Sequence, residues 1–333
     1  MNIVALVDVE AVPEGDPQLE GHAPNVLEEM EFHVVEELRL MGHKVIVVPF
    51  VPDLMKTIEA LKSAEPDLVF NMTERVQDDR RKDVHVTALL ELLYLPYTGA
   101  GPTGLTICRD KAVCKRILSH HRIRFPRFVT LPPGRTRVRL KSFYPAIVKP
   151  LYADGSDGIS LSSLVSSEQE LTDRVRKIHE QMKQPVICEE FVDGREVYVG
   201  ILGNERLTAL PPREIRFGRL EEGGPAIATA RVKWDNAYRE KWKIEYVHAD
   251  LPSDVEKRII RVSKKIYRLL HLRDYGRIDL RLTPDGEVVF LEANPNPNLA
   301  YGEDIAEAAE KVGVSYRQII ERILRMALRR GTG

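Results

Sequence analysis

The chain has 333 residues, and its 49 basic and 50 acidic side chains leave a formal net charge of -1. This length suits two or three lobes, and the balanced charge offers no broad face to nucleic acid, so we expect no nucleic-acid partner. The sequence has no apolar run long enough for a bilayer and no signal-peptide pattern, so we expect a cytoplasmic protein without membrane contact. Its cysteines show neither C-x-x-C nor metal-ligand spacing, as is typical of a reducing compartment: Cys108, Cys114 and Cys188.

Short strands and helices alternate over the first hundred residues. The apolar spacing predicts strands at 2–8, 44–49 and 67–72, and helices at 25–41, 53–64 and 83–93. Such alternation is typical of a parallel sheet with helices on its faces, so 1–100 is predicted to be a Rossmann-like α/β lobe. The segment 9–24, rich in Pro, Gly and acids, follows the first strand, where open α/β sheets bind ligands.

Two further lobes are predicted after the turn-rich segment that ends at Gly104. The lobe 101–192 is predicted to contain a helix carrying Lys111, strands at 125–130, 144–149, 159–163 and 186–191, and a helix at 168–182. The lobe 193–333 is predicted to be strand-rich to 217 and irregular to 243. A helix at 253–271, strands at 275–283 and 287–293, and helices at 303–312 and 315–330 then follow.

The residues Gly99 to Gly104 match the pattern G-x-G-x-x-G. A dinucleotide-binding fingerprint needs a strand before it, a helix after it and an acid about 20 residues on. Here the preceding segment resembles the end of a helix, and His120 and His121 occupy the distant position. We therefore interpret this segment as a flexible turn between lobes.

Two predicted strands near the C-terminus carry polar side chains on one face. The first contains Arg277 and Asp279, and the second contains Glu292, with Asn294 directly after it. Residues two apart share a face, so antiparallel pairing across the Pro-Asp-Gly turn would bring Asp279, Glu292 and Asn294 together. Such hard oxygen ligands suit Mg²⁺ bound to phosphates, and Arg277 could donate to an oxyanion. The residues between them are apolar and are predicted to face the opposite way: Ile278, Leu280, Leu291 and Ala293.

A solvated sheet face with an Arg–Asp pair is the alternative origin of this pattern, because charged alternation is routine on one-sided sheets. The prolines Pro295 and Pro297 weaken that alternative, since they fix an extended exit that can hold Asn294 in place.

Lys149 ends an apolar strand and is followed by a glycine-bearing loop at 153–158. Glycines let backbone N–H groups approach phosphate oxygens, Ser156 adds a hydroxyl, and Lys149 adds a point charge. A strand–turn–strand hairpin with a surface lysine explains the pattern equally well, and the acids Asp154 and Asp157 argue against phosphate.

The apolar run 186–192 reaches a predicted lobe boundary and precedes Glu196. Its end could offer backbone donors and acceptors to an adenine edge, and Glu196 could accept ribose hydroxyls. Standing alone, the segment is better explained as a core strand with exposed acids.

Taken together, these motifs resemble the ATP-grasp enzymes, and most of all their D-alanine–D-alanine ligase branch. Lys149 with its glycine loop, the segment 189–196, and Arg277-x-Asp279…Glu292-x-Asn294 stand in the family's order and spacing. The similarity spans roughly 67–330, including Pro96-Tyr97-Thr98-Gly99 and Cys108-Arg109-Asp110-Lys111. It implies an ATP-grasp fold, in which an N-terminal α/β lobe precedes two lobes that clasp ATP.

The resemblance also implies roles for individual residues. Lys111 and Lys149 would hold phosphates under the glycine-rich loop, which includes Gly155, Ser156 and Gly158. The adenosine moiety would contact the following residues: Glu189, Glu190, Phe191, Val192 and Glu196. Lys233 would close over the γ-phosphate, so that Arg277, Lys233 and Ser156 are catalytic. The ions, one or two Mg²⁺ with Mn²⁺ as an alternative, would bind the following residues: Asp279, Glu292 and Asn294.

The two substrate subsites depart from the family. Met72-Thr73-Glu74 replaces an expected His-Gly pair, and Pro295-Asn296-Pro297-Asn298 replaces a small-residue Pro-Gly segment. A carboxylate–amine ligase with a different substrate pair is therefore expected, acting on amino acids, peptides or a larger or carrier-bound carboxylate. An ATP-grasp kinase and a nucleotide-binding module without turnover are the alternatives. Dimers are common in this branch, so a homodimer stays open.

Overall fold

The computed structural model describes residues 1–8, 29–77, 79–136, 138, 144–153, 155–219 and 227–331. The predicted loop 9–24 and Asp154 lie outside these residues. Three sheets, of three, four and six strands, organise the described part of the chain.

The first sheet is parallel, with the order β2-β1-β3. Asn2 pairs with Lys44, and Ile3 pairs with Leu68, so β1 is central. Its residues are almost wholly buried, because helices cover both faces. This confirms the predicted N-terminal α/β lobe, whose elements are β1 (Asn2–Asp8), α1 (Glu29–Leu40), β2 (Lys44–Phe50), α2 (Leu54–Ala64), β3 (Leu68–Asn71) and α3 (Asp83–Leu92).

The second sheet is antiparallel and has the order β4-β7-β5-β6. The predicted strand at 159–163 is wrong, because 161–163 form a 3₁₀ turn. Ser160 and Ser163 cap that turn reciprocally, so their side chains compete with strand pairing. The elements of this region are α4 (Pro102–Arg109), α5 (Lys111–His120), β4 (Phe128–Leu131), β5 (Ala146–Pro150), β6 (Leu164–Val165), α6 (Glu168–Met182) and β7 (Val186–Glu190).

The third sheet has the order β11-β10-β8-β12-β13, and β9 pairs with β8. The prediction of an irregular segment to 243 is wrong for 230–242, where two short helices begin at the caps Thr229 and Asp235. The elements are β8 (Arg195–Leu202), β9 (Thr208–Ala209), β10 (Arg213–Phe217), α7 (Ala230–Trp234), α8 (Asn236–Trp242), β11 (Ile244–His248), α9 (Ser253–Leu269), β12 (Tyr275–Leu282), β13 (Val288–Pro295), α10 (Asp304–Glu310) and α11 (Tyr316–Arg330).

The cores cross the predicted lobe boundaries. Helices α10 and α11 pack against the first sheet, with Ile305 and Ile320 in one cluster with Ile3. Helices α4 and α5 pack against α9 and the six-stranded sheet through Cys108 and Leu118. Each predicted lobe contains one sheet, and the boundaries 1–100, 101–192 and 193–333 stay a prediction.

The glycine-rich segment after α3 is a tight packing contact. A Cβ at Gly99 would lie 2.9 Å from Asn296 Cγ, and one at Gly104 would lie 2.6 Å from the His271 carbonyl oxygen. Gly99 also has a positive φ of 91°. Gly99, Ala100, Gly101 and Gly104 are buried, and α4 begins at Pro102, so the interpretation of this segment as a flexible turn is wrong. Close approach explains the glycines.

The cysteines Cys108, Cys114 and Cys188 are buried free thiols. Among the helices of the described residues, none combines the length and apolar character of a membrane span.

Candidate functional site

The strands β12 and β13 place four predicted site residues in two facing pairs. Asp279 lies opposite Glu292, and Arg277 lies opposite Asn294. The Thr283–Gly286 turn closes the hairpin, with Gly286 N donating to the Thr283 carbonyl at 2.9 Å. The predicted gathering of these polar residues is therefore present in the structure.

A β-bulge modifies one part of the predicted alternation. Asp279 pairs with Glu292 but Leu280 pairs with Phe290, so Leu291 has no partner in the ladder. Leu291 was predicted to face away from the site, which is wrong: it lines the same cavity as Glu292. Bulges re-aim side chains in this way. The Leu291 carbonyl accepts a hydrogen bond from Lys115 Nζ at 2.9 Å.

Arg277 is held between two carboxylates. Its Nε and Nη2 donate to Asp279 at 2.8 and 3.0 Å, and its Nη1 donates to Asp304 at 3.0 Å. The guanidinium also lies 5.1 Å from the centre of the Tyr198 ring. Burial alone would lower the pKa of Arg277, but the two acids outweigh it and raise that pKa. The side chain is thus a fixed cation beside the acidic pair.

The two facing acids have opposite pKa shifts. Burial raises the pKa of Asp279 despite the opposing effect of Arg277. Burial also acts to raise the pKa of Glu292, but Lys111, Lys233 and Lys149 outweigh it and lower that pKa to about 2. The charge of Glu292 also acts to raise the pKa of Asp279.

The acidic pair with Asn294 fits a magnesium ion. No three His, Cys, Asp or Glu side chains gather into a metal cage anywhere in the described part of the chain. The pair contributes two carboxylates, and Asn294 Nδ2 donates to Asp279 Oδ2 at 3.0 Å, which places the amide group beside them. Mg²⁺ commonly takes one or two carboxylates and fills its other positions with water and phosphate.

A buried ion triad lies next to this pair. Glu189 forms ion pairs with Lys115, whose Nζ lies 2.8 Å from Oε1, and with Lys149, whose Nζ lies 2.7 Å from Oε2. Burial acts to raise the pKa of Glu189, but the two lysines outweigh it and lower that pKa. For Lys149, burial acts to lower the pKa, but Glu189 and Glu292 outweigh it and raise that pKa. The Glu189 carboxylate is thus occupied by lysines.

Lys111 joins the triad to the acidic pair. Its Nζ lies 3.6 Å from Glu292 Oε2 and donates to the Ala153 carbonyl. Burial lowers the pKa of Lys111, opposed by Glu292 and reinforced by Lys149. Among the described residues the three lysines share two carboxylates, Glu189 and Glu292, so a phosphate would add a further anion for them.

The glycine-rich loop contacts other parts of the chain. Ser156 Oγ donates to the Ala228 carbonyl at 2.8 Å, and Gly155 lies in the wall of a cavity. Asp157 lies 3.7 Å from Arg80 of the first lobe. Gly158 lines neither described cavity, and a Cβ there would lie 2.6 Å from Met182 Sδ, so packing explains this glycine.

The end of β7 and the start of β8 form one side of a narrow cavity. Glu196 accepts from Arg281 Nη2 and Tyr198 OH, each at 2.9 Å. The Phe191 amide donates to the Pro145 carbonyl at 2.9 Å, so an adenine contact there would use the Phe191 carbonyl. Glu190 pairs with Arg127.

Two cavities meet at this cluster. The narrow one, of about 70 Å³, contains most of the predicted nucleotide residues: Lys149, Ser156, Glu189, Glu190, Phe191, Val192, Glu196, Lys233, Asp279 and Glu292. The wide one, of about 420 Å³, lies between the first lobe and the third sheet and contains Arg277 and Asn294. Lys233 lines both. The acidic pair therefore stands where the cavities adjoin.

Several residues of the site were missed by the sequence analysis. Lys115 is one helical turn from Lys111 on α5, a spacing that places both on one face and could have indicated it. Arg281 follows Asp279 by two residues on β12, so the same alternation could have indicated it. Arg213 and Asp304 come from other elements, and no spacing signal connects them to β12.

Comparison with known proteins gives a consistent result. The family model for the D-Ala-D-Ala ligase C-terminus matches residues 134–325. A D-alanine–D-alanine ligase from Aquifex aeolicus is 30% identical over 293 residues, covering 87% of this chain and 92% of that protein. An uncharacterized protein from Sinorhizobium fredii is 30% identical over 314 residues, covering 90% of this chain and 88% of that protein.

Solved structures show the same fold. The D-alanine–D-alanine ligase from Bacillus anthracis, crystallised with ATP, superposes with a TM-score of 0.74 over 99% of this chain and 98% of that chain, at 19% identity. The ligase from Coxiella burnetii superposes with a TM-score of 0.67 over 98% and 94% of the two chains. The predicted ATP-grasp architecture is thereby confirmed.

Proposed function

Because this chain belongs to the D-alanine–D-alanine ligase family, we propose that it is an ATP- and Mg²⁺-dependent ligase. It joins a carboxylate to an amine through an acyl phosphate and releases ADP and phosphate. One observation carries this proposal: Asp279 and Glu292 face each other where the narrow and wide cavities meet. These two acids would hold the metal, and their strand neighbours Arg277 and Asn294 line the wide cavity.

The narrow cavity is proposed to receive the nucleotide. Lys111 and Lys149 hold its phosphates, while Gly155, Ser156 and Gly158 belong to the loop that covers them. The adenosine moiety lies along the β7–β8 connection, against the following residues: Glu189, Glu190, Phe191, Val192 and Glu196. Ligand pockets usually measure about 300–1,000 Å³, so a cavity of about 70 Å³ must widen on binding. Ser156 and Ala228 bond across it, which makes them the natural place for that opening.

Mg²⁺, or Mn²⁺, is proposed to bind Asp279, Glu292 and Asn294, with one or two ions present. The ion neutralises charge on the transferred phosphoryl group and orients it. Lys233 borders both cavities and adds positive charge at the same point.

The chain's residues then support two displacement steps. In the first, a carboxylate oxygen bonds to the γ-phosphorus, and the bond to the bridging oxygen breaks to release ADP. In the second, the amine nitrogen bonds to the acyl carbon, the carbon–oxygen bond to phosphate breaks, and the nitrogen loses a proton. Arg277 is placed to stabilise the oxyanion of the second step, a contribution of about 10²–10³ in rate for one such donor.

The substrate pair is proposed to differ from two D-alanine molecules. The wide cavity is bordered by Asn296, Asn298 and Glu303, and by Glu74 of the first lobe. Asn296 and Asn298 stand where the family resemblance leads us to expect a small-residue segment, and Glu74 belongs to the stretch that replaces an expected His-Gly pair.

A screen for ADP release tests the proposal. Pairs of small carboxylates and amines, with free amino acids included, are incubated with ATP and Mg²⁺. We expect ADP only when a carboxylate and an amine are both present, together with one equivalent of amide. ADP formed with an alcohol and no amine would indicate a kinase instead. Nucleotide binding without turnover on any pair would indicate a binding module.

The substitution Arg277→Lys tests whether Arg277 acts in the reaction rather than in nucleotide binding. The lysine keeps the charge but loses the fork that holds Asp279. We expect nucleotide affinity to stay within about threefold and turnover to fall by about 10²-fold or more. Equal turnover in this variant would remove Arg277 from the mechanism.

A further inference from the structure

We propose that the acceptor of this ligase is an amine without an α-carboxylate, for example an alkylamine, a diamine or an amino-acid amide. The inference rests on the proposed function and specifies its second substrate. It is carried by Asp304, a chain carboxylate that already occupies the guanidinium groups at the reacting end of the wide cavity.

Asp304 binds two arginines at once. Its Oδ2 accepts from Arg277 Nη1 at 3.0 Å, and its Oδ1 lies 3.2 Å from Arg213 Nε. All three side chains are mostly buried, with exposed fractions of 12% for Asp304, 14% for Arg277 and 5% for Arg213. These are the separations of formed ion pairs, so both cations are engaged by the protein itself.

The position matters because of the geometry of an amino acid. The amine must attack the carbon whose oxygen Arg277 stabilises. In an α-amino acid only the α-carbon separates the amine from the carboxylate, so that carboxylate would lie beside the same guanidinium. There it would meet Asp304, with Glu303 next in sequence and also in the cavity wall. Like charges this close are unfavourable when no cation is left to compensate them.

The remaining arginines of the wide cavity also have partners within the chain. On the first-lobe side, Arg80 donates to Glu74 at 2.6 Å, and Arg109 pairs with Asp83. Arg239 lies on α8 and donates to the Lys233 carbonyl at 3.3 Å. Lys233 borders the nucleotide cavity and is assigned to phosphate. At the reacting end of the wide cavity, the guanidinium groups of Arg277 and Arg213 are therefore already matched by Asp304.

The test compares acceptors that differ in one charge. With the carboxylate found in the ADP-release screen, kcat/KM is measured for alanine, alaninamide and ethylamine, using both alanine enantiomers and expressing rates per concentration of free base. We expect alaninamide and ethylamine to exceed alanine by at least about tenfold. The result that overturns the inference is equal or better use of alanine. Failure of every amine to support ADP release would instead refute the proposed function.

Two variants locate the cause. Asp304→Asn is expected to reduce the alaninamide-to-alanine ratio by about tenfold or more, because a carboxylate can then reach Arg277 and Arg213. The control Glu307→Gln also contacts Arg213, at 3.3 Å, but lies outside the cavity wall, so its ratio should equal that of the parent. A general loss of activity lowers both rates equally, so the alaninamide-to-alanine ratio reports only the preference between the two amines.

If the Asp304→Asn variant is inactive, a binding measurement replaces the kinetic comparison. Calorimetric titration of the parent and variant with alanine and alaninamide, in the presence of ADP and Mg²⁺, should show the same reversal of preference. An unchanged preference, or no binding of either compound to the parent protein, would contradict the assignment of Asp304.

Discussion

Asp279 lies directly opposite Glu292 in the β12–β13 ladder, and the two acids have opposite pKa shifts. Three cations border them: Arg277 on Asp279 at 2.8 Å, Lys111 at 3.6 Å from Glu292, and Lys233. The two carboxylates are thus neutralised by side-chain cations. When a divalent ion and a triphosphate bind, the carboxylates would contact the ion and the cations would contact the phosphates. The first two predictions below concern that exchange of partners.

Removing one acid of the pair should stop metal-dependent turnover. For Glu292→Ala we expect a loss of at least about 100-fold in Mg²⁺-dependent ADP release, because a direct ligand matters more than the outer partners of a metal site. The matched control is Glu287→Ala on the same hairpin, where the side chain pairs with exposed Arg124. Steady-state rates across a Mg²⁺ titration provide the measurement. Unchanged activity in Glu292→Ala would end the metal assignment.

Lys149 should contribute to nucleotide affinity. Lys149→Ala removes a charged donor worth about 1.5–3 kcal/mol, so ADP affinity measured by titration calorimetry should fall by about 10–100-fold. Lys177→Ala, at an exposed position on α6, provides the control and should bind ADP as the parent does. An affinity equal to that of the parent would show that the phosphates lie elsewhere.

The buried triad should be sensitive to loss of its central acid. Glu189→Gln leaves Lys115 and Lys149 close together without a carboxylate, and breaking a buried pair typically costs about 3–5 kcal/mol. Glu190→Gln disrupts only the exposed pair with Arg127 and should cost less than about 1 kcal/mol. Urea unfolding of both variants measures the two free energies. Equal stabilities would mean that the triad contributes nothing to folding.

Asp8 should make stability depend on pH. Burial raises the pKa of this carboxyl to about 7, although the amides of Glu74 and Arg75 oppose the shift. The folded state therefore binds this proton more tightly than the unfolded state does. The contribution of Asp8 to the free energy of unfolding is then fully present below about pH 4 and is lost as the pH rises to about 7. Asp8→Asn should remove this dependence and stabilise the protein at pH 8 relative to the parent. Parallel unfolding curves for parent and variant from pH 5 to 8 would contradict it.

Gly99 should be required for packing as well as for its backbone conformation. Gly99 and Gly42 both have positive φ, of 91° and 81°, but a Cβ at Gly42 would meet no atom within 4 Å. Gly42→Ala should therefore cost about 1–2 kcal/mol of backbone strain. Gly99→Ala should cost a further 1–3 kcal/mol, roughly the usual penalty for overpacking, because it displaces Asn296. Denaturant unfolding of both variants measures the difference between their free energies of unfolding.

The sequence predicted those features of the fold and the site that depend on a short-range periodicity of residue types. The alternation through Arg277, Asp279, Glu292 and Asn294, with a Pro-Asp-Gly turn between the strands, was sufficient to predict that these side chains gather, because strand periodicity and turn chemistry are local. The caps Thr229 and Asp235 were equally local, but α7 and α8 are too short to show an apolar period.

Contacts between residues that are distant in the sequence could not be predicted from such local patterns. The bulge at Leu291 inserts one residue without changing the apolar pattern, so no local signal marks it. Asp304 and Arg277 lie on a helix and a strand 27 positions apart, and only the packing of α10 near β12 brings them together. The burial of α11 against β1 joins the two ends of the chain in the same way.

An isotope measurement tests the central claim most directly. The substrate carboxylate is labelled with ¹⁸O in both oxygens, and the inorganic phosphate formed with ATP, Mg²⁺ and the amine is analysed by mass spectrometry. Attack of the carboxylate on the γ-phosphorus predicts one ¹⁸O atom in each phosphate released, and at least about 100-fold less labelled phosphate in a Glu292→Ala reaction. Phosphate without label, formed at the full rate of ADP release, would contradict an acyl phosphate built at the Asp279–Glu292 pair.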